Sequence, residues 1–181
     1  MVSPSGGGKS TMAKRLLSDF DKLKFSVSAT TRSSRDGETD GIHYWFISKE
    51  EFLNKIDENQ FLEWEEFYNG TMYGTLRESV ENDLKKGYFI LLDIDVLGAL
   101  NIQKMYGDQA LTVFLSPPSL EVLKERLELR GTETDETLAT RIERARNEML
   151  YADRFNAIVI NDRLENAYEQ VKELVSNFMF R

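Results

Sequence analysis

Cysteine is absent from the 181 residues, which excludes disulfides, thiolate metal sites and thiol catalysis. Histidine occurs once, as His43, so zinc sites of the usual histidine and cysteine kinds are not expected either. No apolar run approaches the ~20 residues needed to cross a bilayer. The amino terminus lacks the basic region and apolar stretch of a secretory signal, so an intracellular, cytoplasmic location is expected. A positive excess is also missing. Lys and Arg number 23 against 31 Asp and Glu, a net charge of -8, the wrong sign for a general nucleic-acid binder. Repeats, low-complexity tracts and Pro/Ser-rich linkers are absent as well.

What remains is an ordinary globular balance, 41% hydrophobic and 30% charged. The length suits one domain with inserts. An acidic chain still binds small phosphate anions where its arginines converge. They cluster as Arg32 with Arg35, Arg126 with Arg130, and Arg141 with Arg144 and Arg146.

Apolar runs of strand length alternate with helix-period segments, which predicts an α/β fold with a parallel sheet flanked by helices. The clearest strands are Tyr88–Ile94, Leu111–Ser116 and Ala157–Asn161, apolar enough to be covered on both faces. Met12, Leu16 and Phe20 recur at helical spacing, as do Leu76, Val80 and Leu84. Thr75 with Glu78 reads as a capping box and Gly87 as a stop. Ser119 opens a helix expected to reach Arg130, and Leu164–Phe180 forms the last one. Two stretches interrupt the alternation. Residues 31–74 hold a polar segment, a short helix near Lys49–Asn59 and an aromatic strand-like run, Phe61–Phe67. Residues 131–147 hold GTETDE and an Arg-rich helix. Loops that long within a small domain usually carry function.

The strongest signal is Ser3-Pro4-Ser5-Gly6-Gly7-Gly8-Lys9-Ser10-Thr11. Glycines let backbone N–H groups turn around phosphate oxygens, and the following helix presents its positive end to the same anion. Lys9 would reach the β- and γ-phosphates, and the Ser10 hydroxyl would coordinate Mg²⁺. The pattern departs from G-x-x-x-x-G-K-[ST] at Ser3, and only Met1 and Val2 precede it where a buried strand is expected. Asp93 and Asp95, at i and i+2 of an apolar strand's carboxyl end, share a face where ligands of open α/β sheets bind. Asp93 is similar to the acidic residue of a Walker B strand, which holds Mg²⁺ directly or through water.

The stretches SPSGGGKST, FSVSATTRSSRDGETDGIHYWF, FLEWEEF, MYGT, LLDID, RLELRGTETDE and IVIND together resemble the guanylate kinases, from the phosphate loop to the final helix. The resemblance implies a three-layer P-loop NTPase fold. Its core would comprise residues 1–30, 81–123 and 149–181, with a GMP-binding insert at 31–80 and a lid at 124–148. It implies transfer of the γ-phosphate of Mg·ATP to GMP in purine nucleotide metabolism. The partners would be those two small molecules, with no nucleic acid and no membrane. Carried over by position, ATP would meet residues 3–11, Arg126 and Asn161. The GMP phosphate would meet Ser28, Arg32, Arg35, Tyr44 and Tyr73, a forked-donor shell suited to a dianion. Guanine would be read by Glu63, Thr75 and Asp95, because a carboxylate suits its N1–H and N2–H₂ donors and leaves adenine unsatisfied. Lys9, Arg32, Arg130 and Arg141 would form the catalytic charge set, with Mg²⁺ as cofactor. Trp64, Phe67 and Tyr68 are expected in the insert core, and no role falls to His43. Two rival readings are a non-catalytic domain that binds phosphorylated peptides and a kinase for another acceptor. Lys9, Ser10, Arg130 and Arg141 argue against the first, and Glu63 and Asp95 against the second.

Overall fold

The computed structural model describes residues 1–67, 70–129 and 135–181. In chain order the strands are β1 Leu23–Phe25, β2 Ala29–Thr30, β3 Trp45–Phe46, β4 Phe61–Glu66, β5 Met72–Leu76, β6 Phe89–Leu91, β7 Val113–Ser116 and β8 Ala157–Ile160. The helices are α1 Lys9–Asp19, α2 Lys49–Asp57, α3 Arg77–Lys85, α4 Val96–Tyr106, α5 Leu120–Glu128, α6 Asp135–Met149 and α7 Leu164–Met179. They fall into two compact units, Met1–Asp19 with Asp93–Arg181, and Phe20–Leu92.

In the first unit β7 and β8 pair in parallel, with Val113 opposite Ala157. Val2 bridges Phe114 in the parallel sense. Its N–H donates to the Val113 carbonyl at 2.9 Å and its carbonyl accepts from Leu115 N–H at 2.8 Å. The strand expected before the glycines is therefore a single bridging residue. β7 is buried throughout. β8 departs from the expectation of two covered faces, for Ile158 and Ile160 are exposed while Val159 between them is buried, the period-2 pattern of a one-sided strand. β7 begins two residues later than Leu111, because Asn156 Oδ1 takes the Thr112 N–H and hydroxyl, each at 2.8 Å.

Met12, Ala13 and Leu16 bury one face of α1, and its back end is tied to α7. Arg15 makes two bonds to Glu165, at 2.9 and 2.8 Å, and its guanidinium lies 3.9 Å from the Tyr168 ring centre. The buried Tyr168 hydroxyl donates to Asp19 at 2.7 Å, and burial followed by that carboxylate pushes the phenol up to about 12. Leu123 and Leu127 of α5 pack with Ala145 of α6. Ser119 caps α5, accepting from Val122 N–H at 3.3 Å. That helix stops at Glu128, short of the expected Arg130, which lies outside the described residues together with Gly131.

In the second unit β1 and β6 pair in parallel, and β3-β2-β5-β4 form a mixed sheet. Its core is Ala29, Phe52, Phe61 and Met72, with Phe52 and Phe61 stacked at 4.4 Å. A Cβ on Gly74 would lie 2.8 Å from the Phe61 ring, so that strand position admits only glycine. Ser48 caps α2, accepting from Glu51 N–H at 3.0 Å. Gly87 has φ +81° and closes α3 as expected. The Thr75–Glu78 capping box does not form. Thr75 is in β5 with its hydroxyl turned to Glu63, and α3 starts after Leu76 without a side-chain cap. Trp64 is also not core. Alternation along β4 turns Glu63 inward and leaves Trp64 46% exposed. Phe67 packs edge-on against Tyr73 at 5.2 Å, and Tyr68 lies outside the described residues.

Candidate active site

Gly6 and Gly8 have φ of +92° and +98°, the left-handed region where a side chain is strained. Between them Gly7 N–H donates to the Pro4 carbonyl at 2.8 Å, folding residues 4–7 into a tight turn that delivers the chain into α1. A Cβ on Gly6 would already press within 3.0 Å of Leu123 and Leu127. The departure at Ser3 has a local solution. Its φ is not positive, Asn59 being the one non-glycine with positive φ among the described residues, so glycine's freedom is not needed there. The buried Ser3 hydroxyl occupies the space that a Cβ on Gly7 would take, 1.8 Å away. Serine at 3 thus requires glycine at 7.

Several side chains gather on this loop. Lys9 forms an ion pair with Asp93, and Arg141 of α6 donates to the Ser5 hydroxyl at 2.9 Å. Asn161, which follows β8, donates from Nδ2 to the Gly7 carbonyl at 2.8 Å. Arg126 of α5 stands one step back, donating to the carbonyls of Asn161 at 2.8 Å and Asp162 at 3.3 Å. Ser10 and Thr11 are exposed on the first turn of α1, where free N–H groups favour an anion. Asp93 and Asp95 do not share a strand face, because β6 ends at Leu91. Asp95 is instead the N-cap of α4, its Oδ1 accepting from Leu97 N–H at 2.6 Å and Gly98 N–H at 3.0 Å.

The second unit assembles a separate cluster around Arg32. Glu38 grips its terminal nitrogens with two bonds of 2.6 Å, and Nη1 also donates to the Ser33 carbonyl at 2.9 Å. The guanidinium lies 4.9 Å from the Tyr44 ring centre and 5.5 Å from that of Phe46, and Tyr73 packs edge-on against Tyr44 at 5.8 Å. Arg32 Nε is buried without a hydrogen-bond partner, which leaves an unsatisfied cationic donor beside two tyrosines. Ser28 borders the cluster through Trp45, whose N–H donates to the Ser28 carbonyl at 2.9 Å. Arg35 keeps its side chain exposed while its N–H donates to Glu38 at 2.8 Å.

The Arg32 bonds, followed by the Arg35 N–H, hold the Glu38 carboxyl down at about 2 from its ordinary 4.5. A depressed carboxylate stabilises the fold above its unfolded pKa, and that contribution fades as pH falls through the folded one. The melting-temperature difference between the protein and Glu38→Gln is therefore expected to hold constant above about pH 5 and shrink towards pH 2. A difference that persists at pH 2 would show that the pair is not its source.

Glu63 and Thr75 face each other across β4 and β5, both buried, with the threonine hydroxyl donating to the carboxylate at 2.5 Å. A carboxylate carries about four lone-pair sites on its two oxygens, more than a single hydroxyl donor fills.

The family model described as guanylate kinase matches residues 1–178. The chain belongs to the guanylate kinase family. A guanylate kinase of Chlorobium luteolum is 50% identical over 177 residues, covering 98% of this chain and 89% of that one. One from Salinibacter ruber is 48% identical over 179 residues, covering 99% and 95%. Among solved structures, guanylate kinase from Anaplasma phagocytophilum matches with a TM-score of 0.77 at 28% identity, over 99% of this chain and 84% of that one. The fold is thus the α/β P-loop NTPase fold of the guanylate kinase family, as expected from the sequence.

Within the first unit of this guanylate kinase family chain, Lys9, Asp93, Arg141 and Asn161 converge on the glycine loop and Arg126 buttresses it. Arg130 lies outside the described residues. Within the second, Arg32, Tyr44 and Tyr73 come together, and Glu63 meets Thr75. Three residues took on parts that sequence reasoning did not assign. Glu38 holds Arg32, and the spacing Arg32, Arg35, Glu38 across the Asp36–Gly37 turn was the available signal. Asn161 holds Gly7, a contact across 154 positions with no local signal at all. His43 also has a part, its Nδ1 accepting from Thr39 N–H at 2.9 Å within the 39–44 turn.

Proposed function

We propose that residues 3–11 cradle the phosphates of ATP and that the Arg32 cluster receives the phosphate of GMP, in a cytoplasmic enzyme of purine nucleotide metabolism. Family membership makes the chain an ATP:GMP phosphotransferase, which transfers the γ-phosphate of ATP to GMP and yields ADP and GDP. The observation that carries the residue assignment is the loop itself. Left-handed Gly6 and Gly8 flank a closed turn, and the next residue is a lysine at a helix N-terminus.

Phosphoryl transfer needs positioning and charge neutralisation more than a covalent nucleophile. Lys9, now paired with Asp93, turns its ammonium to the β- and γ-phosphates. Arg130 and Arg141 of the lid, residues 124–148, bring charge to the group in transit, and Arg126 with Asn161 borders the adenine. In the insert, residues 31–80, Arg32, Arg35, Tyr44 and Tyr73 hold the acceptor phosphate, and Ser28 of the core joins them. The buried Arg32 Nε gains the partner it lacks. Glu63, Thr75 and Asp95 read guanine, Asp95 with the oxygen that its cap leaves over. No general base is required, because the attacking phosphate oxygen is already anionic. Closure of insert and lid excludes the water that would otherwise hydrolyse ATP.

Mg²⁺ suits the donor set. Among the described residues no three His, Cys, Asp or Glu side chains gather into a cage. A Mg²⁺ shared with nucleotide phosphates needs only one or two protein oxygens, which Ser10 and Asp93 supply. The ion, when bound, neutralises charge on the β- and γ-phosphates.

ADP release from Mg·ATP, measured with GMP, AMP, UMP or no acceptor, tests the reading. Release is expected with GMP and at background level otherwise. Equal release with AMP, or release without acceptor, would overturn the acceptor site.

A further inference from the structure

We propose that Asn161 is a positioning residue of the phosphate loop, which sets the orientation of the Gly7–Gly8 peptide so that the Gly8 N–H faces the nucleotide phosphates. The inference rests on the phosphate-loop reading above and extends it to a residue that the sequence placed only beside adenine.

The Gly7–Gly8 peptide lies between two residues without side chains. A peptide flip changes ψ of the first and φ of the second, and glycine at both positions meets little steric resistance. The sequence therefore leaves two orientations open. No peptide among the described residues is cis, so the C=O and N–H of this unit point in opposite directions. Asn161 Nδ2 takes the Gly7 carbonyl at 2.8 Å in a buried bond. Gly8 N–H is thereby aimed away from Asn161, to the side on which the cradle must meet its anion. On either side the chain is already fixed. Gly7 N–H is engaged by the Pro4 carbonyl, and the Gly8 carbonyl accepts from Met12 N–H at 3.2 Å. Only the peptide between them needs an external hold.

Asn161 is built to supply it. The residue is 5% exposed. Its own N–H donates to the Ser116 carbonyl at 2.7 Å, and its carbonyl accepts from Arg126 at 2.8 Å. With the backbone pinned on both sides, the buried amide starts from a fixed place within reach of the Gly7 carbonyl. A Cβ on Gly8 would lie 2.4 Å from Nδ2, so the approach is close enough to demand glycine there. Arg126, Asn161 and Gly7 thus form a continuous link from α5 to the phosphate loop.

Inorganic tripolyphosphate separates this role from an adenine contact, because it has phosphates and no base. Its inhibition constant against ATP would be measured for the protein, Asn161→Ala and the isosteric Asn161→Asp, with the KM for GMP alongside. Loss of one buried hydrogen bond is expected to raise the constant about fivefold in Asn161→Ala. Asn161→Asp, which turns a carboxylate on the Gly7 carbonyl, should lose at least as much. The KM for GMP should stay within about twofold in both. An unchanged tripolyphosphate constant in both variants, with a raised KM for ATP, would overturn the inference and leave Asn161 an adenine contact. Parallel weakening of tripolyphosphate and GMP would overturn it too, as general loosening. Lys9→Ala serves as the control. Tripolyphosphate inhibition untouched by that change would overturn the phosphate-loop reading itself.

Discussion

Lys9→Ala is expected to lower kcat by about 10³-fold, the loss seen when a preorganised charge is removed from the transferring oxygens. Lys9 is the cation that the loop's own sequence places at the junction of the glycine turn and α1. The loop otherwise offers backbone N–H groups, which orient phosphates but carry only partial charge. The substitution removes the counter-charge of Asp93 as well, leaving a carboxylate near the incoming triphosphate where an ion pair stood. Both effects act on the charged state reached in transfer, so kcat should fall more than the KM for GMP changes. The readout is ADP release at saturating ATP and GMP on a variant shown to be folded by its thermal transition. Turnover within about tenfold of the parent would remove Lys9, and with it residues 3–11, from the donor site.

Glu63→Gln should produce the second large effect, on the choice of base. The carboxylate offers two acceptor oxygens, one already engaged by the Thr75 hydroxyl at 2.5 Å. In the proposed acceptor site, guanine would present two adjacent donors, N1–H and N2–H₂, to that edge. Glutamine keeps the shape but turns one acceptor into a donor, so one guanine N–H meets an N–H. The Thr75 hydroxyl can accept from the new amide, which keeps the fold close to that of the parent. Loss of one charge-assisted bond and creation of a donor clash should lower kcat/KM for GMP about 10²-fold, with the margin over AMP narrowing in step. The acceptor panel reads both numbers. An undiminished margin would show that guanine is read elsewhere than on the Glu63–Thr75 pair.

Much of the local architecture was legible because local chemistry dictates it. Met12 and Leu16 mark α1 by their spacing, Ser48 and Ser119 cap the helices they precede, and Gly87 closes α3 at positive φ. These depend on residues three or four apart. Errors arose where a side chain had a choice between a near partner and a distant one. Thr75 satisfied the spacing of a capping box with Glu78, yet its hydroxyl goes to Glu63 across the β4–β5 ladder. Trp64 had the composition of a core residue, but one step of strand alternation placed it outside, opposite the buried Glu63. Asp95 shared i, i+2 spacing with Asp93, and the early end of β6 freed the two to part, one to a helix cap and one to Lys9.

The candidate site shows the same division. The sequence by itself determined the glycine loop, its lysine, the arginine pair at 32 and 35, and the guanylate kinase resemblance, because each is a run of adjacent residues whose types state their chemistry. Only the tertiary structure decided that Ser3 is tolerated through the missing side chain of Gly7, that Glu38 grips Arg32, and that Asn161 holds the Gly7 carbonyl. The physical reason is directional. A hydrogen bond or ion pair forms only when donor and acceptor meet within about 3 Å at a suitable angle. For residues as far apart as Gly7 and Asn161, that meeting is set by the packing of strands and helices between them, which no local spacing records.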